Sequence, residues 1–151
     1  MRLFLFTLLL LSLTACDKRF TPEQQLQADI SAIENYLSDR NLVATATPSG
    51  LHYIVDVAGS GGNPQSNSSV TVHYVGKLLK NGNVFDQTTD MPRTFLLNTL
   101  IEGWQEGIPL LKKGGKGTFF VPSALGYGPF GSGSIPGNAP LIFEIELVDF
   151  Q

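Results

Sequence analysis

Cysteine is almost missing from this sequence: Cys16 is the single one in 151 residues. That excludes an intramolecular disulfide, and with only two histidines, His52 and His73, no ligand spacing for a metal site can be assembled. Basic residues are also few. Ten Lys and Arg stand against 13 Asp and Glu, a net charge of −3 with no basic run, so the electrostatic footprint of a nucleic-acid partner is lacking. The glycine-rich stretches at 59–62 and 126–133 do not lie between a strand and a helix, as a phosphate-binding loop requires, and no cofactor is expected. Apolar runs are confined to the first residues, and that one is too short to span a bilayer comfortably. What remains is enough for one hydrophobic core with a short extension.

The N-terminus reads as a targeting segment. Arg2 precedes Leu3, Phe4, Leu5, Phe6 and the run from Leu8 to Leu11, the charge and apolar core of a signal peptide. Leu13-Thr14-Ala15-Cys16 then resembles the bacterial lipoprotein processing signal, in which the cysteine is acylated and becomes the mature N-terminus. The alternative is an ordinary signal peptide cut near Ala15, leaving a free thiol. Lipidation of Cys16 implies a membrane-attached protein of the cell envelope facing the periplasm. Asp17 resembles the residue that retains lipoproteins at the inner membrane and favours that membrane over the outer one.

Beyond Cys16, Thr21-Pro22-Glu23-Gln24 carries a helix start, with Thr21 as cap and Gln24 at the capping-box position. Leu26, Ile30, Ile33 and Leu37 follow at spacings of four, three and four, an apolar stripe over residues 22–38 with Tyr36 beside it. Such a stripe packs on its own domain or on a second copy of the chain. Pro48 and Gly50 end the helical pattern. Leu51–Ala58 alternates as a half-buried strand, with Leu51, Tyr53, Val55 and Val57 on one face. Gly59–Ser69 reads as an exposed loop. Val70–Leu79 is a second strand leading to the Asn81-Gly82 pair of a tight hairpin turn. Thr94–Asn98 is a further short strand, Leu100–Leu111 one short helix interrupted near Pro109, and Gly117–Val121 and Leu141–Asp149 are strands, the last alternating Leu141, Phe143, Ile145 and Leu147 against Ile142, Glu144, Glu146 and Val148. The pattern predicts an α+β fold, an antiparallel sheet covered by one short helix, with an N-terminal helical extension.

Seven segments occur in an order that resembles the FK506-binding type of peptidyl-prolyl cis-trans isomerase: Thr47-Pro48-Ser49-Gly50-Leu51, Val72-His73-Tyr74-Val75-Gly76, Gly82-Asn83-Val84-Phe85-Asp86, Leu100-Ile101-Glu102-Gly103-Trp104, Leu125-Gly126-Tyr127-Gly128, Ile135-Pro136-Gly137-Asn138-Ala139, and Leu141 to Leu147. With the leader and the helical stripe read above, the chain divides into a lipoprotein signal peptide (1–15), a lipidated N-terminus with an amphipathic helical extension (16–47) and, from the resemblance, an isomerase domain (48–151), whose sheet is implied to be strongly twisted and wrapped around the short helix. It implies a proline pocket walled and floored by Tyr74, Phe85, Trp104 and Phe143, with Asp86 as its carboxylate and Tyr127 as a hydroxyl donor. Phe95, Leu100, Ile101 (through its backbone N–H) and Ile135 are implied to contact substrate.

Read without the family, Phe85, Phe143 and Trp104 are core residues, and Asp86 caps a turn. The resemblance implies isomerisation of X-Pro bonds in exported, proline-containing polypeptides. Rotation about such a bond breaks amide resonance but no covalent bond, so no general base and no histidine is required. The competing expectation is a proline-binding chaperone or assembly module of the envelope with little turnover. The segment between Asp86 and Phe95 lacks the charged stretch common in the family, which leaves the pocket rim open to variation.

Overall fold

The computed structural model describes residues 20–151; the leader, Cys16 and Asp17 lie outside the described residues. The first element, α1, runs over Pro22–Asp39. Its capping box is formed: Thr21 Oγ1 accepts from Gln24 N at 3.2 Å and Gln24 Oε1 accepts from Thr21 N at 3.0 Å. Asn41, at φ 53°, turns the chain out of the helix, and Leu42 N donates back to Leu37 O at 2.9 Å.

The next strands are β1 (Thr45–Ala46), β2 (His52–Val57), β3 (Ser69–Leu78), β4 (Val84–Gln87) and β5 (Arg93–Leu96). Then come α2 (Glu102–Gly107), β6 (Lys116–Val121) and β7 (Leu141–Phe150). They form one antiparallel seven-stranded sheet in the order β1-β2-β6-β7-β3-β4, with β5 pairing to the first half of β3. The helix expected over Leu100–Leu111 is shorter. It is α-helical only to Gly107 and tightens into a 3₁₀ turn over Ile108–Leu110, because Pro109 has no N–H to continue the ladder.

Two apolar layers sit on opposite faces of this sheet. The inner face carries the main core, where Val70, Val72, Tyr74, Phe119, Phe143, Ile145 and Leu147 meet Trp104 and Ile108 of the covering segment. The outer face carries a smaller one, in which Ile33 and Leu37 of α1 close over Leu79, Phe120 and Ile142. The stripe of α1 is therefore covered within the chain, each of Ile33 and Leu37 contributing about 1.5–3 kcal/mol by burial. This corrects the simple alternation expected for β2: Leu51 and His52 are both buried, whereas Val55 and Val57 are exposed. Near its start the strand has apolar cover on both sides, and toward its end it has little on either.

Candidate active site

The inner face of β3 places Tyr74 beside Trp104 of α2, with ring centroids 5.0 Å apart at 80°. Trp104 stands edge-on to Phe143 of β7 at 5.3 Å and to Phe95 of β5 at 6.1 Å, and Phe143 stands edge-on to Phe85 of β4 at 5.6 Å. Each pair presents a ring edge to a ring face, the arrangement the aromatic quadrupole favours. Together with Asp86, Thr99, Leu100, Ile101 and Tyr127 these rings line a cleft of about 270 Å³. A larger depression of about 480 Å³ lies on the outer face, but it is walled by polar side chains such as Thr88, Thr118, Lys116 and Glu146, the last two already paired at 2.9 Å. The aromatic cleft is the place where an apolar ring could leave water.

Nine of the ten residues expected around the pocket line this cleft. Ile135 does not. It is buried in the main core, because the backbone bonds between Ser132 and Ile135, at 2.9 and 3.0 Å, close a tight loop that draws it inward. Thr99 lines the cleft without having been expected there.

The polar side of the cleft is organised by Asp86. Tyr74 donates its hydroxyl hydrogen to Asp86 Oδ2 at 2.5 Å, and Gln87 N donates to Oδ1 at 2.9 Å. Arg93 Nη1 donates to the Tyr74 hydroxyl oxygen at 3.0 Å and lies 3.5 Å from Asp86 Oδ1. Arg93 is the second unexpected member of the site; its position in β5, seven residues past Asp86, gave no periodic signal. Burial, then the bond to Asp86 and its charge, push the Tyr74 phenol up to about 12, with Arg93 pulling the other way. Tyr127, 37 % exposed at the mouth, is also raised, first by burial and then by the charge of Asp86. Both phenols are thus donors throughout the physiological range.

Leu100 and Ile101 are held rigidly at the entrance to α2. Gln105 Nε2 donates to Leu100 O at 2.7 Å, and Ile101 O accepts from Trp104 N and Gln105 N at 2.9 and 3.1 Å, bonds in which the Ile101 N–H takes no part. On the floor, Trp104 Nε1 is buried without a hydrogen-bond partner, at a cost of about 1–3 kcal/mol that its three edge-on ring contacts offset. A close approach beneath the wall requires a glycine: at Gly76 a Cβ would lie 2.7 Å from the Phe85 ring and 2.9 Å from that of Phe143. Among the described residues no cluster of three His, Cys, Asp or Glu side chains converges to hold a metal ion.

The family described as FKBP-type peptidyl-prolyl cis-trans isomerase matches residues 61–148. Among curated proteins, the FKBP-type peptidyl-prolyl cis-trans isomerase FkpA of Aeromonas hydrophila is 40% identical over 145 residues, covering 89% of this chain and 54% of its own length. A probable FKBP-type peptidyl-prolyl cis-trans isomerase of Haemophilus influenzae is 48% identical over 106 residues, 68% of this chain and 44% of its own. The chain thus spans about half the length of these relatives. Of the solved structures, FkpA from Escherichia coli superposes with a TM-score of 0.73 at 33% identity, covering 85% of this chain and 64% of its own. A peptidyl-prolyl cis-trans isomerase from Pseudomonas syringae pv. tomato superposes with a TM-score of 0.74 at 30% identity, covering 88% and 98%.

Proposed function

Since the chain belongs to the FKBP-type peptidyl-prolyl cis-trans isomerases, we propose that it accelerates interconversion of X-Pro bonds in polypeptides, with the aromatic cleft as the active site. The observation that carries this reading is the gathering of six aromatic rings, two of them phenols, around one carboxylate in a single cleft. The proline ring sits among Tyr74, Phe85, Phe95, Trp104 and Phe143, out of water. A planar amide is charge-separated and loses more on leaving water than a twisted one, so the cleft binds the twisted form preferentially and lowers the barrier. Tyr127 and the Ile101 N–H hold the carbonyls that flank the bond. Asp86 fixes Tyr74, and with it the wall, through their hydrogen bond.

The test uses the protein from Asp17 onward, which keeps every described residue, and a proline peptide with a hydrophobic residue before the proline. Native protein is expected to accelerate cis-to-trans conversion well above background. A folded Tyr127→Phe/Asp86→Ala variant, lacking two hydrogen bonds of about 1 kcal/mol each, is expected to lose roughly 30-fold in kcat/KM. The phenol shifts add a pH dependence. Because both folded phenols are raised, the native rate stays flat on the alkaline side up to the ordinary phenol range near 10. Folding stability follows the same sign: the contribution of Tyr74 is fully present below that range and is lost as pH climbs through it toward about 12. Absence of acceleration by the folded native protein would move the alternative ahead, a module that binds proline segments of envelope proteins without turning them over.

The substrates in this reading are exported, proline-containing polypeptides met at a membrane surface to which acylated Cys16 holds the enzyme, with Asp17 favouring the inner membrane of the envelope. Several buried CH₂ groups at roughly 0.8 kcal/mol each make such an anchor stable. In cells producing the full chain, the protein is expected in the membrane fraction and its Cys16→Ser variant outside it; equal partitioning of the two would remove the anchor from the proposal.

A further inference from the structure

The middle of α1 holds a carboxylate that the helix itself does not need. Asp29 is 2 % exposed, and a carboxylate so buried must be satisfied by donors. Three serve it: Gln25 Nε2 reaches Oδ1 at 2.7 Å, while Oδ2 accepts from both the backbone N, at 2.7 Å, and the hydroxyl of Ser123. Ser123 opens a single 3₁₀ turn over Ser123–Leu125 whose cap residue, Pro122, supplies no side-chain hydrogen bond. The turn is therefore capped from another element, 94 residues away in sequence.

The carbonyl of the same serine fixes the loop beyond it. Ser123 O accepts from Gly126 N at 3.0 Å and from Gly128 N at 2.8 Å, the two amides that bracket Tyr127. Gly128 O in turn accepts from Asn138 N at 2.9 Å. The first turn of α1 borders this loop directly, Thr21, Pro22 and Gln25 facing Ser123, Ala124 and Pro129 across a shared groove. An unbroken path of hydrogen bonds thus runs from the N-terminal helix to the backbone on either side of the phenol at the mouth of the cleft.

We propose that Asp29 is a positioning residue for Tyr127: by holding Ser123 it sets where the Tyr127 hydroxyl stands over the aromatic cleft, so that α1, which precedes the residues matched by the family, is a working part of the active site. The inference rests on the isomerase reading for its kinetic consequence, but not for the structural link. Tyr127 is glycine-flanked and partly exposed, and both flanking amides bond to Ser123 O, so a shift of Ser123 carries the loop with it. Displacement of a positioning donor by about 1 Å is enough to cost up to ~100-fold in rate.

The experiment compares native protein, Asp29→Ala and Asp29→Asn, each also in a Tyr127→Phe background. It reads kcat/KM on the proline peptide, amide exchange at Gly126 and Gly128, and the ring resonances of Tyr127. Asp29→Ala is expected to lower kcat/KM about tenfold, to speed exchange at both glycines, and to shift the Tyr127 ring. In the Tyr127→Phe background the same change should cost less than about twofold, because the group being positioned is already gone. A loss that multiplies equally in both backgrounds would make Asp29 a support of general stability and overturn the proposal, as would faster glycine exchange at an unchanged rate. Asp29→Asn tests the case in which the alanine variant fails to fold. Its carbonyl keeps the bond from Ser123 N, and combining it with Gln25→Glu lets the new amide donate to the new carboxylate, restoring the rate to within about twofold of native. Should native protein show no turnover, the isomerase reading fails, while the glycine exchange and Tyr127 resonances still decide the link; unchanged values in Asp29→Ala would then sink it.

Discussion

Gly76→Ala is expected to remove most turnover from a chain that still folds. Gly76 lies toward the C-terminal end of β3, opposite Asp86 in β4 and Phe143 in β7. The added methyl would meet Phe85 Cε2 and Cζ at 2.7 Å and Phe143 Cε1 at 2.9 Å, distances that real contacts do not sustain. These are ring atoms rather than backbone, so the rings give way, and the space open to them is the cleft that they line. Overpacking of this kind costs about 1–3 kcal/mol of stability. The kinetic loss should be far larger, up to ~100-fold in kcat/KM, because two of the five aromatic walls move together. Thermal melting and peptide isomerisation measured on one preparation separate the two effects. Native turnover in a variant that melts lower would mean that Phe85 and Phe143 do not form the walls that substrate meets.

The second large effect concerns a pair of neighbours. Phe119 and Phe120 are consecutive in β6, so their side chains point to opposite faces of the sheet, and yet both are buried. Phe119 packs beneath α2, where its ring lies against Gly107. Phe120 packs beneath α1, with its ring 5.8 Å from that of Tyr36. Truncating either to alanine is expected to cost about 3–5 kcal/mol and to lower the melting temperature by roughly 10–20 °C. What distinguishes them is the part released. Phe119→Ala loosens the support of Trp104 and takes turnover with it. Phe120→Ala loosens α1, so amide exchange should quicken across Ile30–Leu37 first. Unchanged exchange there would show that this ring does not carry the docking of the helix.

These two residues also mark where the sequence could be read and where it could not. The period of α1, its capping box and the alternation of β3 and β7 all appear in the structure, because each is a local pattern set by a few adjacent residues; the Asn81-Gly82 pair instead sits in a five-residue connection, Leu79–Asn83, with only Gly82 at positive φ. The inner faces of β3, β4, β5 and β7, together with α2, bring the expected aromatic residues to one cleft. Local pattern does not say what lies on the far side of a strand, and β2 broke its alternation for that reason: α1 returns over the start of that strand. Ile135 packs into the main core rather than lining the cleft, on a loop closed by backbone bonds between Ser132 and Ile135. Arg93 and Asp29 left no trace at all. A charged residue in a helix reads as solvent-facing, and only the folded chain brings Asp29 to Ser123.

The sheet order carries a further consequence. β7 follows every other strand along the chain, but it lies between β6 and β3, bonded to nearly the full length of one and all of the other. Until residues 141–150 have been made, β3 and β6 have no common neighbour, so the β1-β2-β6 part of the sheet and the β3-β4-β5 part remain unjoined. Assembly therefore waits for a late, long-range closure, which places this chain among the slower, non-local folders and leaves little room for a half-built intermediate with a working cleft. During synthesis, the cleft is complete or it is absent.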